Sequence, residues 1–249
     1  MMKRNLFKRI LVITLLVMVF SLVGAYIWTQ LTYDAQYSSE LDLEQEVVPL
    51  DNGWILYTAE DAEMGFILYP GAKVEPEAYA FIAQELASQN ITVAIPSVTL
   101  NLPILDVSKA EEIIGTTADM EWYIGGHSMG GAAAAMYADQ HLDKVSGLIL
   151  LGSYAADNDV LSQSDLPVLS ISGSEDGLST PSKIKENSNH LPQTAEFVEI
   201  EGGNHAQFGV YGAQSGDNDA KITLSEQQST IIQTIVNWLR DRDTGGEDE

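Results

Sequence analysis

One stretch, "IGGHSMGGAAAAMYA" at residues 124–138, indicates both the fold and a candidate site. Its serine, Ser128, lies among four glycines, between an apolar run typical of a buried strand and an alanine-rich run typical of a helix. The glycines either let a strand and a helix pack closely, or they expose the serine hydroxyl as a nucleophile. A G-x-S-x-G pattern at a strand-to-helix turn is typical of a nucleophile elbow, in which the following N–H, here that of Met129, can bind an oxyanion.

The rest of the chain alternates apolar runs with patterns of helical period. This order predicts an α/β fold whose mostly parallel central sheet is flanked by helices. Catalytic groups in such sheets gather beyond the carboxyl ends of the strands. The predicted strands are 46–50, 53–58, 65–70, 91–96, 121–126, 145–153, 166–173 and 195–203, and the predicted helices are 75–89, 106–115, 131–141, 180–189 and 225–241.

Local signals mark the ends of several predicted elements. Asp51-Asn52-Gly53 predicts a hairpin turn between the first two strands. Asp106 is predicted to cap the helix 106–115, and Ser225 with Gln228 is predicted to form a capping box for the last helix. The last helix has a continuous apolar face. That face consists of Ile231, Ile232, Ile235, Val236 and Leu239.

A serine nucleophile needs a base, and the chain has four histidines. His127 adjoins the serine and is predicted to pack beside the site, because the elbow should direct its side chain elsewhere. His141 ends a helix, and His190 lies in a polar loop. His205 directly follows a predicted strand and its glycines, so a loop there could bring it over the sheet. His205 is therefore the predicted base.

The base needs an acid that orients it. "SISGSEDGLST" (170–180) places Asp176 just after a strand and between the serine and the histidine in sequence, which is the order expected for this architecture. Asp176 is the predicted acid. Glu175, Asp157 and Asp159 remain alternatives, and an acidic surface turn without a catalytic role is a further interpretation.

A second oxyanion donor is expected after the third predicted strand, in "YPGAKV" (69–74). Pro70 has no N–H and fixes the turn, while Gly71 allows a backbone to approach a substrate. The N–H of Ala72 is the predicted donor, with that of Gly71 as the alternative. A Pro-Gly turn without a role in catalysis is the competing interpretation.

Four stretches together resemble the α/β-hydrolase superfamily, and most closely its small bacterial branch near the dienelactone-hydrolase-like enzymes. The resemblance covers roughly residues 46–241. It departs from dienelactone hydrolases in one respect, because they use a cysteine nucleophile and this chain has no cysteine. The stretches are "GFILYPGAKVEPEAYAFIAQELASQNITVAIP" (65–96), "YIGGHSMGGAAAAMYA" (123–138), "ISGSEDGL" (171–178) and "EGGNHAQFGVYG" (201–212).

The resemblance implies a serine hydrolase whose Ser128, Asp176 and His205 match the family's triad positions. It also implies acyl transfer from a small-molecule carboxylic ester to water through an acyl-enzyme, with no cofactor. Two alternatives stay open: a catalytically silent binding module with the same fold at the cell surface, and an amidase or acyltransferase that uses the same triad.

The segment after Gly152 bears on the substrate, because a lid is often inserted there in this superfamily. Only about fifteen residues separate the two strands at this point, so we expect no substantial lid domain and an open cleft. Gly71, Leu102 and Phe208 are the predicted substrate-binding residues. Further predicted lining comes from residues 97–105, Val210 and Tyr211, with ordinary loop packing as the competing interpretation. An apolar open cleft favours small or flexible esters.

No metal site is predicted in the chain. "SGDNDA" (215–220) clusters two aspartates without the ligand spacing of a calcium loop, which favours a solvated turn. The absence of cysteine excludes disulfides and thiolate ligands.

The charge is strongly acidic, with 12 lysines and arginines against 36 aspartates and glutamates. Four of the basic residues lie in the first nine positions. The remainder therefore carries 8 basic and 36 acidic residues, a body that nucleic acid and anionic lipid repel. No nucleic-acid partner is expected, and the composition leaves the oligomeric state open.

The N-terminus predicts export. A basic start precedes the apolar run Ile10–Trp28, which is long enough to cross a membrane and would leave the body outside the cytoplasm. An uncleaved anchor is favoured over a signal peptide cleaved at Val23-Gly24-Ala25, because the apolar run continues past Ala25. The predicted organisation is a signal-anchor or signal peptide at 1–30, a tether at 31–45, a catalytic domain at 46–241 and a disordered acidic tail at 242–249.

Overall fold

The buried strands follow directly from the apolar runs. A computed structural model of the chain describes residues 2–36, 38, 41, 53–59, 62–116, 120–156 and 161–243. Seven strands within these ranges form one sheet in the order β1-β3-β2-β4-β5-β6-β7. The strands are β1 (Trp54–Tyr57), β2 (Met64–Tyr69), β3 (Ile91–Pro96), β4 (Glu121–His127), β5 (Gly147–Leu151), β6 (Val168–Gly173) and β7 (Glu196–Ile200).

The sheet is parallel except at one edge, where β1 pairs antiparallel with β3. The side chains of adjacent residues in β2 point to opposite faces of the sheet, as the two-residue period of a strand requires. Phe66 and Leu68 pack into one apolar core, and Ile67 and Tyr69 into the other. Both faces are therefore buried, and the predicted α/β fold with a mostly parallel central sheet is confirmed.

Helices cover the two faces. α2 (Ala80–Ser88) and α6 (Leu224–Asp243) contribute Ile82, Leu86 and the predicted apolar face of the last helix to one core. α4 (Met129–Gln140) packs Ala134, Ala135 and Tyr137 into the other. The remaining helices are α1 (Met2–Thr29), α3 (Glu111–Ile114), α5 (Pro181–Asn187) and the 3-10 turns Pro76–Tyr79, Thr99–Asn101, Pro103–Leu105, Val107–Ala110, Leu161–Gln163, Ser188–His190 and Ala206–Phe208.

Two predicted caps are wrong. The last helix begins at Leu224, and its capping box is formed by Thr223 and Glu226, whose side chains each accept the other's backbone N–H at 2.8 and 3.2 Å. Asp106 does not cap the following helix. Its carboxylate instead accepts hydrogen bonds from the N–H and hydroxyl of Thr99, so it closes a loop that precedes it.

Some predicted segments lie outside the described residues. They are the strand 46–50, residues Asp51 and Asn52 of the hairpin turn, residues 37, 39, 40 and 42–45 of the tether and all but the first two residues of the tail. α1 is described, and its segment Phe7–Thr29 is long and apolar enough to cross a membrane, a property that a signal sequence shares. Every side chain from Phe7 to Trp28 is exposed to the surroundings.

Candidate active site

The strand-to-helix turn at Ser128 has strained geometry. Ser128 lies between the end of β4 and the start of α4, with φ 54° and ψ −122°, a region that residues other than glycine rarely adopt. Its N–H donates to the carbonyl of Leu151 at 3.0 Å, and its carbonyl accepts from the Ser153 hydroxyl at 2.6 Å. Its side chain does not cap α4, although serine is a favoured capping residue. The Ser128 hydroxyl is therefore not consumed in capping the helix that follows it.

The flanking glycines are required by close packing. A Cβ on Gly126 would overlap the backbone of Gly130, and a Cβ on Gly130 would overlap the carbonyl oxygens of Tyr69 and Pro70. β4, α4 and the end of β2 therefore approach one another at distances that only glycine permits. The two interpretations of the glycines describe one arrangement, since the close packing creates the turn that carries Ser128.

His205 and Asp176 form a buried pair on the same edge of the sheet. His205 Nδ1 lies 2.7 Å from Asp176 Oδ2, and both side chains are almost fully buried. The other carboxylate oxygen accepts the N–H groups of Leu178 and Ser179 at 2.8 and 2.6 Å. Because the carboxylate only accepts, His205 carries its proton on Nδ1 and presents Nε2 as a base.

The distal nitrogen of His205 is buried and has no hydrogen-bond partner among the described residues. It is therefore not bonded to the Ser128 hydroxyl in this conformation. Buried polar atoms are rarely left unpaired, and those that are often have a functional role. Hydrogen bonds of catalytic groups are commonly long or unformed before substrate binds.

The alternative candidates for the acid that orients His205 are Glu175, Asp157 and Asp159. Glu175 points to the surface, where its carboxylate pairs with Lys221 at 2.5 Å. Asp157 and Asp159 lie outside the described residues. Of the two candidate acids that the structure describes, Asp176 is the one that lies against His205.

His127 lies in a buried cluster beside the predicted base. Its ring centroid is 4.4 Å from that of His205, and its ring stacks on Phe208 at 5.6 Å. Its Nδ1 lies 2.9 Å from the Tyr79 hydroxyl, which also accepts the N–H of Gly71 at 2.8 Å. The single hydroxyl proton of Tyr79 is thus left for His127 Nδ1. Tyr79 thus links the turn after β2 to the elbow, a contact that no local sequence signal indicates.

Burial lowers the pKa of His127 well below its ordinary value, and the nearby charge of His205 lowers it further. The unfolded chain therefore binds a proton at His127 near pH 6.5, while the folded protein does not. The free energy of unfolding should fall as the pH drops below about 6.5, by about 1.4 kcal/mol per pH unit from this group.

We expect His127→Gln to remove this dependence. Urea unfolding at pH 7.5, 6.0 and 5.0 measures the slope, and the variant should lose less stability over this range than the wild type. His190→Gln changes a half-buried histidine elsewhere and should keep the wild-type slope. An unchanged slope in His127→Gln would show that other groups carry the acid sensitivity.

The turn after β2 leaves one candidate donor. The N–H of Gly71 donates to Tyr79, so it is not available to an oxyanion. The N–H groups of Lys73 and Val74 donate to the carbonyls of Asn101 and Gly71. Only the N–H of Ala72 lacks an acceptor here among the described residues. It is the donor that the sequence predicts.

Ala72 also permits a clean test. It occupies the second position of a β-turn in which Lys73 has φ 62° and Val74 N–H bonds Gly71 at 3.2 Å. Proline is favoured at that position, so Ala72→Pro removes the N–H with little strain. We expect kcat for p-nitrophenyl acetate to fall about 10²- to 10³-fold, the cost of losing one oxyanion donor. Ala72→Gly keeps the N–H and should stay near wild type; equal losses would place the donor elsewhere.

Three of the residues predicted to line the cleft are buried in this structure, and their contact with substrate stays a prediction. Phe208 is fully buried against His127, and Val210 and Tyr211 are also buried. Phe208 and Tyr211 pack in an apolar core, while Val210 and Tyr211 also line a cavity beside the loop of His205. Gly71 is buried too, while Leu102 is half-buried between two 3-10 turns and its contact with substrate stays a prediction.

The acidic turn 215–220 is more than a solvated loop. Asp217 accepts the N–H of Gly177 at 2.9 Å with one oxygen and the N–H of Ala206 at 2.8 Å with the other. These donors adjoin Asp176 and His205 in sequence. Asp217 thus ties the loop of the acid to the loop of the base, which the sequence pattern alone did not indicate. Within the described ranges, no group of three or more histidines or carboxylates is arranged to hold a metal.

A cavity of about 670 Å³ lies beside the loop of His205. Gln36, Asn204, Tyr211 and Asp217 are among its lining residues, but Ser128, Asp176 and His205 are not. It is therefore separate from the reacting groups.

The comparisons with known proteins agree with this architecture. The sequence profile of the alpha/beta hydrolase family matches residues 65–229, whereas no protein of curated function matches the chain. Among solved structures, a dienelactone hydrolase from Anabaena variabilis is 16% identical, with a TM-score of 0.60 over 80% of this chain and 97% of that one. A soluble variant of the monoglyceride lipase of Saccharomyces cerevisiae is 12% identical, with a TM-score of 0.62 over 82% and 97%.

A third similar structure is an alpha/beta hydrolase enzyme from a sediment metagenome of the Mar Chica lagoon in Morocco. It is 14% identical, with a TM-score of 0.60 over 80% of this chain and all of that one. At these identities the structures support the fold alone. The family match covers well over half of the sequence, including the elbow and both loops of the buried pair. The chain belongs to the alpha/beta hydrolase family.

Proposed function

We propose that this protein is an exported serine hydrolase that cleaves small-molecule carboxylic esters. The observation that carries the proposal is the buried His205–Asp176 pair, whose Nε2 is left without a partner on the sheet edge where the elbow presents Ser128. A base held in one tautomer, with an unused nitrogen on the same side of the sheet as an unused hydroxyl, is suited to proton transfer from that hydroxyl once the two meet.

The proposed reaction begins with rotation of the Ser128 side chain toward His205 Nε2. The histidine takes the hydroxyl proton as the oxygen attacks the ester carbonyl, and the N–H groups of Met129 and Ala72 bind the oxyanion. Collapse of the intermediate releases the alcohol, which takes the proton from His205. Water, activated by the same base, then releases the acid from the acyl-enzyme. No step requires a cofactor.

The fold relatives support an ester rather than another substrate. They include proteins described as a dienelactone hydrolase and a monoglyceride lipase, whose names both refer to ester bonds. The cysteine nucleophile of dienelactone hydrolases is replaced here by Ser128, so lactone specificity is not carried over.

We further propose that α1 anchors the protein and leaves the catalytic domain outside the cytoplasm. Lys3, Arg4, Lys8 and Arg9 precede the apolar segment, and positive residues are retained on the cytoplasmic side. Tyr26 and Trp28 are exposed near its far end, where aromatic side chains favour the interface. N-terminal sequencing of the mature protein tests the anchor, since a chain that starts at Tyr26 would show cleavage instead.

Activity-based labelling tests the hydrolase. The purified full chain should react with a fluorophosphonate probe, and peptide mass spectrometry should locate the adduct on Ser128. A panel of p-nitrophenyl esters and matched anilides measures the bond preference, with esters expected to turn over faster. A protein that folds but neither labels nor turns over any ester would instead be a binding module.

A further inference from the structure

The end of α1 contacts the active-site edge of the sheet. Asn101 Nδ2 donates to the carbonyl of Thr29 at 3.0 Å, and Lys73 Nζ lies 4.4 Å from the centroid of the Trp28 ring. Lys73 directly follows Ala72, the proposed oxyanion donor. The last residues of the apolar helix therefore contact the turn that carries the proposed oxyanion donor.

The chain beyond the helix continues along the same edge. Tyr33 N–H donates to the carbonyl of Lys73 at 2.6 Å, and Glu75 N–H donates back to Tyr33 at 3.1 Å. Gln36 N–H bonds the carbonyl of Val210 at 2.8 Å, in the loop that follows His205. We call residues 29–36 the junction segment. Its bonds fix where the helix leaves the body, so this part of the predicted tether is not a free linker.

Burial changes sharply at the start of the junction segment. Side chains from Phe7 to Trp28 are all exposed, as lipid contact requires, whereas Thr29 is only 4% exposed. The 23 residues from Phe7 to Thr29 span about 34 Å, close to the thickness of a hydrocarbon core. If the helix spans the bilayer, Trp28 and its partner Lys73 lie at the depth of the head groups.

Exposed apolar side chains lie in the junction segment and in the loop whose first turn contacts the end of α1. Leu31 is 63% exposed and Leu100 is 38% exposed, and Ile104 and Leu105 follow in the next 3-10 turn at 38% and 52%. Leu100 has φ 54°, a conformation that is uncommon for a bulky residue. We call these four residues the apolar rim. Single exposed leucines need no explanation, but a group beside an apolar helix end indicates a surface that meets lipid.

We propose that α1 spans the membrane and that the active-site side of the protein, at the carboxyl ends of the strands, faces the surface of that membrane away from the cytoplasm. The apolar rim then lies in the interfacial layer. The substrates are then carboxylic esters of amphiphiles held in that leaflet, which reach Ser128 from the membrane side. This inference rests on the proposed function. Because the body is strongly acidic, apolar contact rather than attraction to anionic lipid holds the rim in place.

The position of the rim can be measured directly because the chain has no cysteine. Leu105→Cys and Leu142→Cys each provide one site for an environment-sensitive fluorophore in the full chain, reconstituted in phosphatidylcholine nanodiscs. Leu142 is the matched control because it is 46% exposed and lies away from the active-site side of the sheet. It follows α4, which runs from Ser128 back toward the amino-terminal ends of the parallel strands.

The label at position 105 should be quenched by nitroxide-bearing lipid and protected from a water-soluble quencher, and the label at 142 should behave in the opposite way. Equal access of the aqueous quencher to both positions would overturn the membrane placement. This result does not depend on catalysis, so it decides the placement even if the hydrolase proposal fails.

The substrate class is tested by a ratio of activities. Turnover of 4-methylumbelliferyl oleate dissolved in the nanodisc is divided by turnover of water-soluble p-nitrophenyl acetate. Leu31→Asp puts a charge in the rim and should lower the ratio about tenfold, whereas Leu142→Asp should not change it. An unchanged ratio in Leu31→Asp would overturn membrane delivery of the substrate. A wild-type protein that neither hydrolyses the two esters nor reacts with the fluorophosphonate probe would instead contradict the proposed function.

Discussion

Ser128→Ala is expected to lower kcat for ester hydrolysis by about 10⁴-fold or more and to abolish fluorophosphonate labelling. The reason is that the reaction loses the atom that becomes acylated, while the oxyanion donors remain. Residual turnover above the uncatalysed rate should persist, because the Met129 and Ala72 amides still stabilise the oxyanion of a water attack.

The structure makes this variant easy to interpret. The Ser128 side chain does not cap α4, and the backbone bonds of the turn do not involve its hydroxyl. Thermal unfolding of the variant should therefore stay close to that of the wild type. Ser108→Ala removes an exposed serine elsewhere and should change neither labelling nor turnover. Wild-type turnover in Ser128→Ala would contradict the assignment of the nucleophile.

Asp176→Asn is expected to lower kcat by about 10³- to 10⁴-fold with little change in KM. The amide oxygen can keep the bonds from Leu178 and Ser179, so the amide nitrogen faces His205. That nitrogen only donates, which forces Nδ1 to accept and moves the histidine proton to Nε2. A histidine in this tautomer cannot take the proton of Ser128.

Glu175→Gln is the matched control for this prediction, because it neutralises the neighbouring carboxylate in the same turn. Glu175 pairs with Lys221 at the surface, and exposed ion pairs contribute little. We expect esterase activity within about twofold of wild type, given the small energies of such pairs. Steady-state kinetics on p-nitrophenyl acetate compares the two variants. A larger loss in Glu175→Gln than in Asp176→Asn would exchange the roles of the two acids.

The described strands and the position of the elbow could be predicted from the sequence because both are local patterns. β3 occupies 91–96 as predicted, since a short apolar run in a parallel sheet is buried on both sides. The positions of Ser128, Asp176 and His205 follow from the rule that functional groups lie after strands, and their order along the chain is the one expected for this architecture. The structure brings Asp176 to His205 as predicted, although their catalytic roles remain proposals.

Other features depend on contacts between segments distant in sequence, which local patterns do not specify. Tyr79 and Asp217 each connect two segments through a pair of hydrogen bonds, and an isolated tyrosine or aspartate carries no signal of its partners. Asp106 has the residue type of a helix cap, but Thr99 provides a competing set of donors seven residues earlier. The rings of Phe208 and Tyr211 suit a cleft wall or a core equally well, and packing decides between them.

The bonds of Asp217 have a consequence for how the protein can move. One carboxylate holds a residue next to the acid and a residue next to the base, so the two loops cannot be displaced independently without breaking a bond. Any opening of the substrate entrance should therefore shift these loops as a unit and preserve the alignment of His205. If the proposed mechanism holds, access to the site is then adjusted more easily from residues 97–105 than from the loops that Asp217 joins.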